Sequence, residues 1–277
     1  MRVFVGIDGS AASCAALHWA ASFVELEGGD LVVAAVRVPP YTEVWPEQME
    51  ERRALETERL EQACAGIGDA VPIRQYLLEG DPGAELLLAA DSEDADLIVV
   101  GARGSGGHRH ALHLGSTAHH LVHHTRIPLA AIPASARAVW PAPIVIGVDG
   151  SEGTERAVAW LADYGPLLTD DVIAVHAEKP LAQWVPVSHP NSWYQHALNA
   201  MQGWVEPLRK VELGARTLVL DGDAVDALTD VALEQHAGMI VVGARGAGRT
   251  GASRLGATAL KVLNQAQVPV LMVPAGM

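Results

Sequence analysis

The chain is short of several things, and each shortage removes a class of function. It has no run of about 20 apolar residues, so no segment is expected to span a membrane. Its only cysteines among 277 residues are Cys14 and Cys64. They lie in helix-like stretches without CxxC or zinc spacing, and read as reduced thiols of a cytosolic protein. Basic residues are few: 19 Lys and Arg against 33 Asp and Glu give a net charge of −14. A surface this acidic is unsuited to non-specific binding of nucleic acid or anionic membrane. The opening MRVFVGIDGS lacks the apolar stretch and cleavage site of a signal peptide, so a cytoplasmic location is expected. There is no GxxxxGK[ST] motif and no GxGxxG after the first strand, which leaves P-loop and standard dinucleotide folds unsupported. No acid–base pair and no nucleophile with an oriented base stands out, so no catalytic residue is expected.

What is present is a duplication. VFVGIDGS at 3–10 recurs as IVIGVDGS at 144–151, LIVVGARG at 97–104 as MIVVGARG at 239–246, and IPLAAIP at 127–133 as VPVLMVP at 268–274. Three collinear matches define two copies of one domain. The Ala- and Pro-rich stretch ASARAVWPAP at 134–143 reads as a short, stiff linker. The expected division is a first domain at 1–133, a linker at 134–142 and a second domain at 143–277.

Each copy alternates apolar, β-branched runs with helical stretches. In copy one, strands are expected at Val3–Asp8, Leu31–Val38, Ile73–Leu78, Leu97–Val100 and Leu129–Ile132. Helices fall at Ala11–Glu27, at Pro46–Cys64 and near Ala84–Ala90, and His119–His124 lies on the last helix. This alternation predicts an α/β fold: two tandem, doubly wound domains, each with a five-stranded parallel sheet covered on both faces. Ligands of such sheets sit beyond the carboxyl ends of the strands, where strand order reverses.

Three features collect at those ends. Asp8 and its counterpart Asp149 end the first strand of each copy; a residue of this kind serves equally as a cap or turn former. The loops Gly101-Ala-Arg103-Gly104 and Gly243-Ala-Arg245-Gly246 let backbone N–H groups approach a phosphate closely. Gly115-Ser116-Thr117 precedes a helix, where hydroxyls and aligned N–H groups suit an anion or a plain N-cap. Arg103 and Arg245 either add positive charge there or are solvated surface residues.

These motifs resemble the universal stress protein family in its tandem form, whose ATP-binding members carry Gly-x2-Gly-x9-Gly-Ser/Thr. Copy two has Gly243-x2-Gly246, nine residues, then Gly256, with Ala257 in place of the hydroxyl and Thr258 next. Copy one has Gly101-x2-Gly104, ten residues, then Gly115-Ser116. The resemblance implies a Rossmann-like, adenine nucleotide alpha hydrolase-like fold. It also implies that the copies pack as a pseudo-dimer, with their final strands pairing antiparallel, and that a homodimer can form. It implies ATP, with Mg, as ligand and a nucleotide-dependent stress-response regulator with an unidentified protein partner. Such a protein is not an enzyme beyond slow ATP hydrolysis. A nucleotide-free or cyclic-nucleotide-binding interaction module is the alternative.

On this resemblance Asp8 and Asp149 meet the adenosine, and backbone groups of Val36 and Ala177 read the adenine edge. Gly101, Gly104, Gly115, Ser116 and Thr117 hold ribose and phosphates in copy one, and Gly243, Gly246, Gly256 and Thr258 in copy two. The implied site also takes in Gly6, Ile7 and Val100, and Gly147, Val148, Val242 and Ala257. The missing hydroxyl at Ala257 costs about 1.5–3 kcal/mol for a bond to a charged group, unless Thr258 substitutes. The extra residue in loop one is a comparable departure.

Seven of the 12 histidines lie at 108, 110, 113, 119, 120, 123 and 124. His119/His123 and His120/His124 are i,i+4 pairs. Copy two has Lys261 near the matching stretch and no cluster, so a polar helix is expected rather than a metal site, with pH sensing as a lesser reading. Trp19 and Trp160 read as core. Trp184, Trp193 and Trp204 follow the second strand of copy two, where packing is the favoured role and covering the second site the alternative.

Overall fold

The computed structural model describes residues 1–39, 46–68, 70–104, 114–178, 192–247 and 255–275. The chain divides into two compact units, Met1–Ala138 and Val139–Met277. The first contains β1 (Arg2–Ile7), α1 (Ala11–Glu27), β2 (Asp30–Arg37), α2 (Pro46–Cys64), β3 (Ile73–Glu79), α3 (Pro82–Ser92), β4 (Leu97–Gly101), α4 (Ser116–His124) and β5 (Leu129–Ile132). Its strands lie in the order β3-β2-β1-β4-β5, all parallel. The second contains β6 (Ile144–Gly147), α5 (Glu152–Leu168), β7 (Val172–Glu178), α6 (Ser192–Trp204), α7 (Glu206–Lys210), β8 (Ala215–Asp221), α8 (Ala224–Glu234), β9 (Met239–Gly243), α9 (Ala257–Gln265) and β10 (Val270–Val273). Its order is β8-β7-β6-β9-β10, again parallel.

The sequence dictates these layers. Val3, Phe4 and Val5 of β1 and Leu97, Ile98 and Val99 of β4 are wholly buried, as central parallel strands covered by helices on both faces must be. The edge strand β3 is half-buried or exposed along its whole length instead. From β1 the chain winds outward through β2 to β3, then returns to place β4 on the other side of β1. The carboxyl ends of β1 and β4 therefore flank the point where strand order reverses. The same reversal lies between β6 and β9.

Helix starts follow local chemistry, with one informative exception. Ser10 accepts from Ser13 N–H at 3.1 Å, Asp81 from Ala84 N–H at 3.0 Å, Ser151 from Thr154 N–H at 3.3 Å and Asp223 from Val225 N–H at 2.9 Å. Each satisfies a donor that the helix cannot. α4 and α9 start from Gly115 and Gly256 with no side-chain cap. Thus Ser116 and Thr117, expected just before this helix, lie inside the first turn of α4. The short α7, begun by Glu206-Pro207, was also not anticipated.

The inner faces of α1 and α5 carry Trp19, stacked on Phe23 with centroids 5.4 Å apart, and Trp160, tilted on Tyr164 at 4.9 Å. Both tryptophans are buried, as the sequence suggested. Cys64 is also buried, which pushes its thiol up, while Cys14 is exposed. At the amino ends of the first sheet, Arg74 bridges Asp30 at 2.7 Å and Glu93 at 2.5 Å. Arg216 pairs with Asp171 at 2.6 Å in the second. These partly exposed pairs brace the edge opposite the strand carboxyl ends.

Trp19→Ala is expected to cost about 3–5 kcal/mol through lost contact and a residual cavity. Leu88, 62% exposed on α3, should change stability by less than about 0.5 kcal/mol when truncated. Urea unfolding monitored by circular dichroism compares the two variants.

Candidate functional site

In copy one the chain leaves β1 through Asp8 and Gly9, which has a φ of +75°, and enters α1 at Ser10. The Ser10 N–H donates to Asp8 Oδ1 at 3.0 Å, and the Asp8 N–H donates to Ser13 Oγ at 3.3 Å. The end of β4 packs against this corner. A β-carbon on Gly101 would lie 2.8 Å from Ala12 C and from Ser13 N, so only glycine permits the approach. A β-carbon on Gly104 would lie 2.7 Å from Asp8 Oδ2, and one on Gly115 3.1 Å from Gly104 N. The Gly115 N–H donates to Ala102 O at 2.9 Å, and Ser10 Oγ lies 3.5 Å from Arg103 O. The structure thus brings Asp8, Gly101, Arg103, Gly104 and Gly115 to one corner, with Ser116 and Thr117 in the adjoining first turn of α4.

Copy two builds the same corner more tightly. Asp149 Oδ1 accepts from Ser151 N–H at 3.0 Å, Ser151 Oγ at 2.5 Å and Thr154 Oγ1 at 2.8 Å. Its Oδ2 accepts from Ala247 N–H at 2.7 Å. Burial alone would raise this carboxyl, but the bonds from Ser151, Ala247 and Thr154 outweigh it and hold the group below its ordinary value. β-Carbons on Gly243 and Gly246 would lie 2.4 Å from Gly153 C and 2.5 Å from Asp149 Oδ2. Gly256 N–H donates to Ala244 O at 2.6 Å. Ala257 and Thr258 open α9 and are exposed. Asp149 is therefore a clamp between the helix start and the glycine loop, the turn-forming role weighed from sequence, and any ligand contact shares that carboxylate.

Other expected positions are placed differently. A β-carbon on Gly6 would meet Leu86 at 2.8 Å and one on Gly147 would meet Leu228 at 3.2 Å, so these glycines admit α3 and α8. Val100, Val148 and Val242 are buried, which leaves only their backbone for a ligand; Ile7 is half-buried. The last pairing of β1 with β2 is Ile7 with Ala35, and that of β6 with β7 is Gly147 with Val175. Val36 and Ala177 lie just beyond those pairs, on the stretch of β2 and β7 that outruns its neighbour. Arg103 is exposed; the Arg245 Nε is buried with no hydrogen-bond partner among the described residues.

Three residues that sequence reasoning missed shape copy two. Gly153, in the first turn of α5, lets the Arg245 carbonyl sit where its β-carbon would be, 2.0 Å away. A glycine inside a helix is the signal that marked it. His176, next to Ala177, has Nδ1 at 2.8 Å from Val148 O, and its ring meets the Trp204 ring edge-on with centroids 5.5 Å apart. Gly150 lies beneath that indole.

On α4, the His119–His123 and His120–His124 rings are 4.5 and 4.3 Å apart. His120 packs where a β-carbon on Gly83 would meet its Cγ at 2.6 Å. Burial, then the charges of His119 and His124, lower His123. No group of three or more His, Cys, Asp or Glu is arranged for a metal ion among the described residues. His108, His110, His113 and Trp184 lie outside the described residues.

Two tandem doubly wound domains, each with a glycine-lined corner at its switch point, define the class. The sequence profile of the universal stress protein family matches residues 1–133 and 142–274, and the chain belongs to that family. Universal stress protein Rv1996 of Mycobacterium tuberculosis is 29% identical over 306 aligned residues, covering 98% of this chain and 94% of that protein. Universal stress protein Rv2623 of the same organism is 30% identical over 295, covering 98% and 96%. The crystal structure of a universal stress protein from Archaeoglobus fulgidus shares the fold, with a TM-score of 0.74 at 20% identity, over 99% of this chain and 98% of that one.

Asp149→Asn should destabilise the protein by about 1.5–3 kcal/mol at neutral pH by weakening bonds to a charged acceptor. The folded-state carboxyl sits below its ordinary value, so its stabilisation is complete above about pH 4 and is lost as pH falls through the folded value. Thermal unfolding of both proteins should converge in strongly acidic buffer. A gap that persists there overturns the assignment.

Proposed function

We propose that the chain binds ATP, with Mg, at the carboxyl ends of β1 and β4 in copy one and of β6 and β9 in copy two. Binding would govern its contact with a protein partner. The observation that carries this is the pairing, in both copies, of a glycine loop with a helix that has no side-chain cap. The unbonded N–H groups of the first turns of α4 and α9 suit phosphate oxygens. Gly104 and Gly246 keep a methyl out of the space beside Asp8 and Asp149.

Each part of the nucleotide has a candidate holder. Backbone of Val36 and Ala177, on strands that outrun their neighbours, would meet the adenine edge. Asp8 and Asp149 would accept from the ribose, Asp149 by exchanging bonds it makes within the chain. Ser116 and Thr117 in copy one, and Thr258 in copy two, offer hydroxyls beside the phosphates. Arg103 and Arg245 would add positive charge to an otherwise acidic protein, and the buried Nε of Arg245 is a donor suited to an anion. Mg would neutralise phosphate charge when bound. Among the described residues the corner holds no nucleophile with an oriented base, so the reading is of a binding protein, with hydrolysis at most slow. A cytoplasmic setting accords with it, and no described helix is long and apolar enough to cross a membrane.

A nucleotide-free module is the second reading, favoured in copy two by an Asp149 whose oxygens both accept bonds from the chain itself. Calorimetric titration of nucleotide-stripped protein with Mg-ATP separates the two. Two sites per chain support the proposal in both copies, one site restricts it to a single copy, and no heat with no thermal stabilisation sinks it. Gly104→Ala should weaken copy one by about 10-fold, the loss of roughly one hydrogen bond to a charged group. Unchanged affinity and stoichiometry would mean the phosphates are elsewhere.

A further inference from the structure

The two corners differ on the side where the base of a nucleotide would lie. In copy one a β-carbon on Gly9 would meet nothing within 4 Å among the described residues, and the residue beside Ile7 on β2 is Ala35. In copy two a β-carbon on Gly150 would lie 2.5 Å from Trp204 Cζ2, 2.7 Å from its Cε2 and 2.9 Å from its Nε1. His176 stands at the position matching Ala35. Its Nδ1 lies 2.8 Å from the Val148 carbonyl, which can only accept, so Nδ1 carries the proton. With that ring fixed, Trp204 leans on it edge-on at an interplanar angle of 60°. The indole is held between Gly150, which follows Asp149, and His176, which precedes Ala177.

We propose that the Trp204 indole stands in the place of the ligand's base in copy two. That site is then closed by its own chain and opens when Trp204 swings away. The inference rests on the nucleotide reading above. A base whose edge meets Ala177 and whose sugar meets Asp149 must lie over the strip from Gly150 to His176, and the indole fills that strip. A purine and an indole are flat bicyclic rings of similar size, so one can replace the other against His176. The neighbours Met201, Val205 and Leu208 are buried and hold the end of α6 and α7, while Trp204 itself is only half-buried. Its side chain can leave without unfolding the helix. Copy one has Ala35 in place of His176, and among its described residues no ring lies against Gly9, so they present nothing for the same ligand to displace.

The test is Mg-ATP titration of the whole, nucleotide-stripped chain, by calorimetry and by tryptophan emission. The proteins are the unmodified chain, Trp204→Ala, Trp204→Phe and Gly104→Ala, with circular dichroism to check folding. The unmodified protein should show a tighter and a weaker site, and Gly104→Ala should weaken the tighter one by about 10-fold and leave the other unchanged, assigning the latter to copy two. Trp204→Ala should tighten the weaker site by about 10-fold or more, the scale of one lost ring-stacking contact, and leave the tighter site unchanged. Trp204→Phe should fall between. Saturating the weaker site should shift emission of the unmodified protein to longer wavelength, as an indole moves into water, and the shift should be absent from Trp204→Phe. Should the Ala variant fail to fold, the Phe variant and the emission shift decide. A second-site affinity that is unchanged or weaker in the folded variants, beside normal binding at copy one, overturns this proposal alone. No binding by any of the proteins overturns the nucleotide reading and this one with it.

Discussion

Both corners depend on one close contact, between the end of the fourth strand and the first turn of the first helix of each copy. Backbone must lie against backbone there, because the loop that follows has to turn back over the strand ends. In copy one Gly101 meets Ala12 and Ser13; in copy two Gly243 meets Gly153. Ala12 and Gly153 are equivalent positions, since Ser10 and Ser151 cap the two helices. The methyl of Ala12 holds the loop off in copy one. Its absence at Gly153 lets the Arg245 carbonyl close in, and Ser151 Oγ lies 3.1 Å from that carbonyl where Ser10 Oγ lies 3.5 Å from Arg103 O.

The difference of one methyl spreads through the site. In copy two Ala247 N–H lies 2.7 Å from Asp149 Oδ2, and Thr154 in place of Ser13 donates to the same carboxylate at 2.8 Å. Asp149 is half-buried and Asp8 exposed, although each sits in the same three residues, Asp-Gly-Ser. A charge-assisted bond contributes more than a neutral one, so the four bonds that Asp149 accepts tie the second corner firmly to its own chain.

Much of this framework could be read from the sequence because it rests on local chemistry. VFVGIDGS reads as strand, turn and capped helix from a β-branched run, a glycine that takes positive φ and a serine placed to cap. The repeat made the same reading hold twice. The glycines at 101 and 243 were conspicuous, but what makes them necessary is a helix turn about ninety residues away in sequence, and no local pattern carries that. Gly115-Ser116-Thr117 marks the start of α4 in the sequence, but a glycine cap has no side chain to fix the boundary, and Ser116 and Thr117 fall inside the helix. The pairing of His176 with Trp204, a residue the sequence offered as a cover for the second site, was hidden for the same reason as the glycine contact: it is made by the packing of α6 against β7 and β8, not by spacing along the chain.

Duplication usually suggests two equal sites, and here physical differences argue for unequal ones. A ligand shifts a conformational equilibrium only by the difference in its affinity for the two states. On the nucleotide reading, a site that binds without displacing any part of its own chain needs little rearrangement, so occupancy there transmits little. On the reading of Trp204 as a stand-in for the base, copy two has two distinct states: one with the indole seated and Asp149 bonded to its own chain, one with both displaced. Its self-bonding lowers affinity, and the same bonds create the difference between states that a regulator requires. A weaker second site is then the one able to report, filling only when ligand exceeds what copy one has already taken.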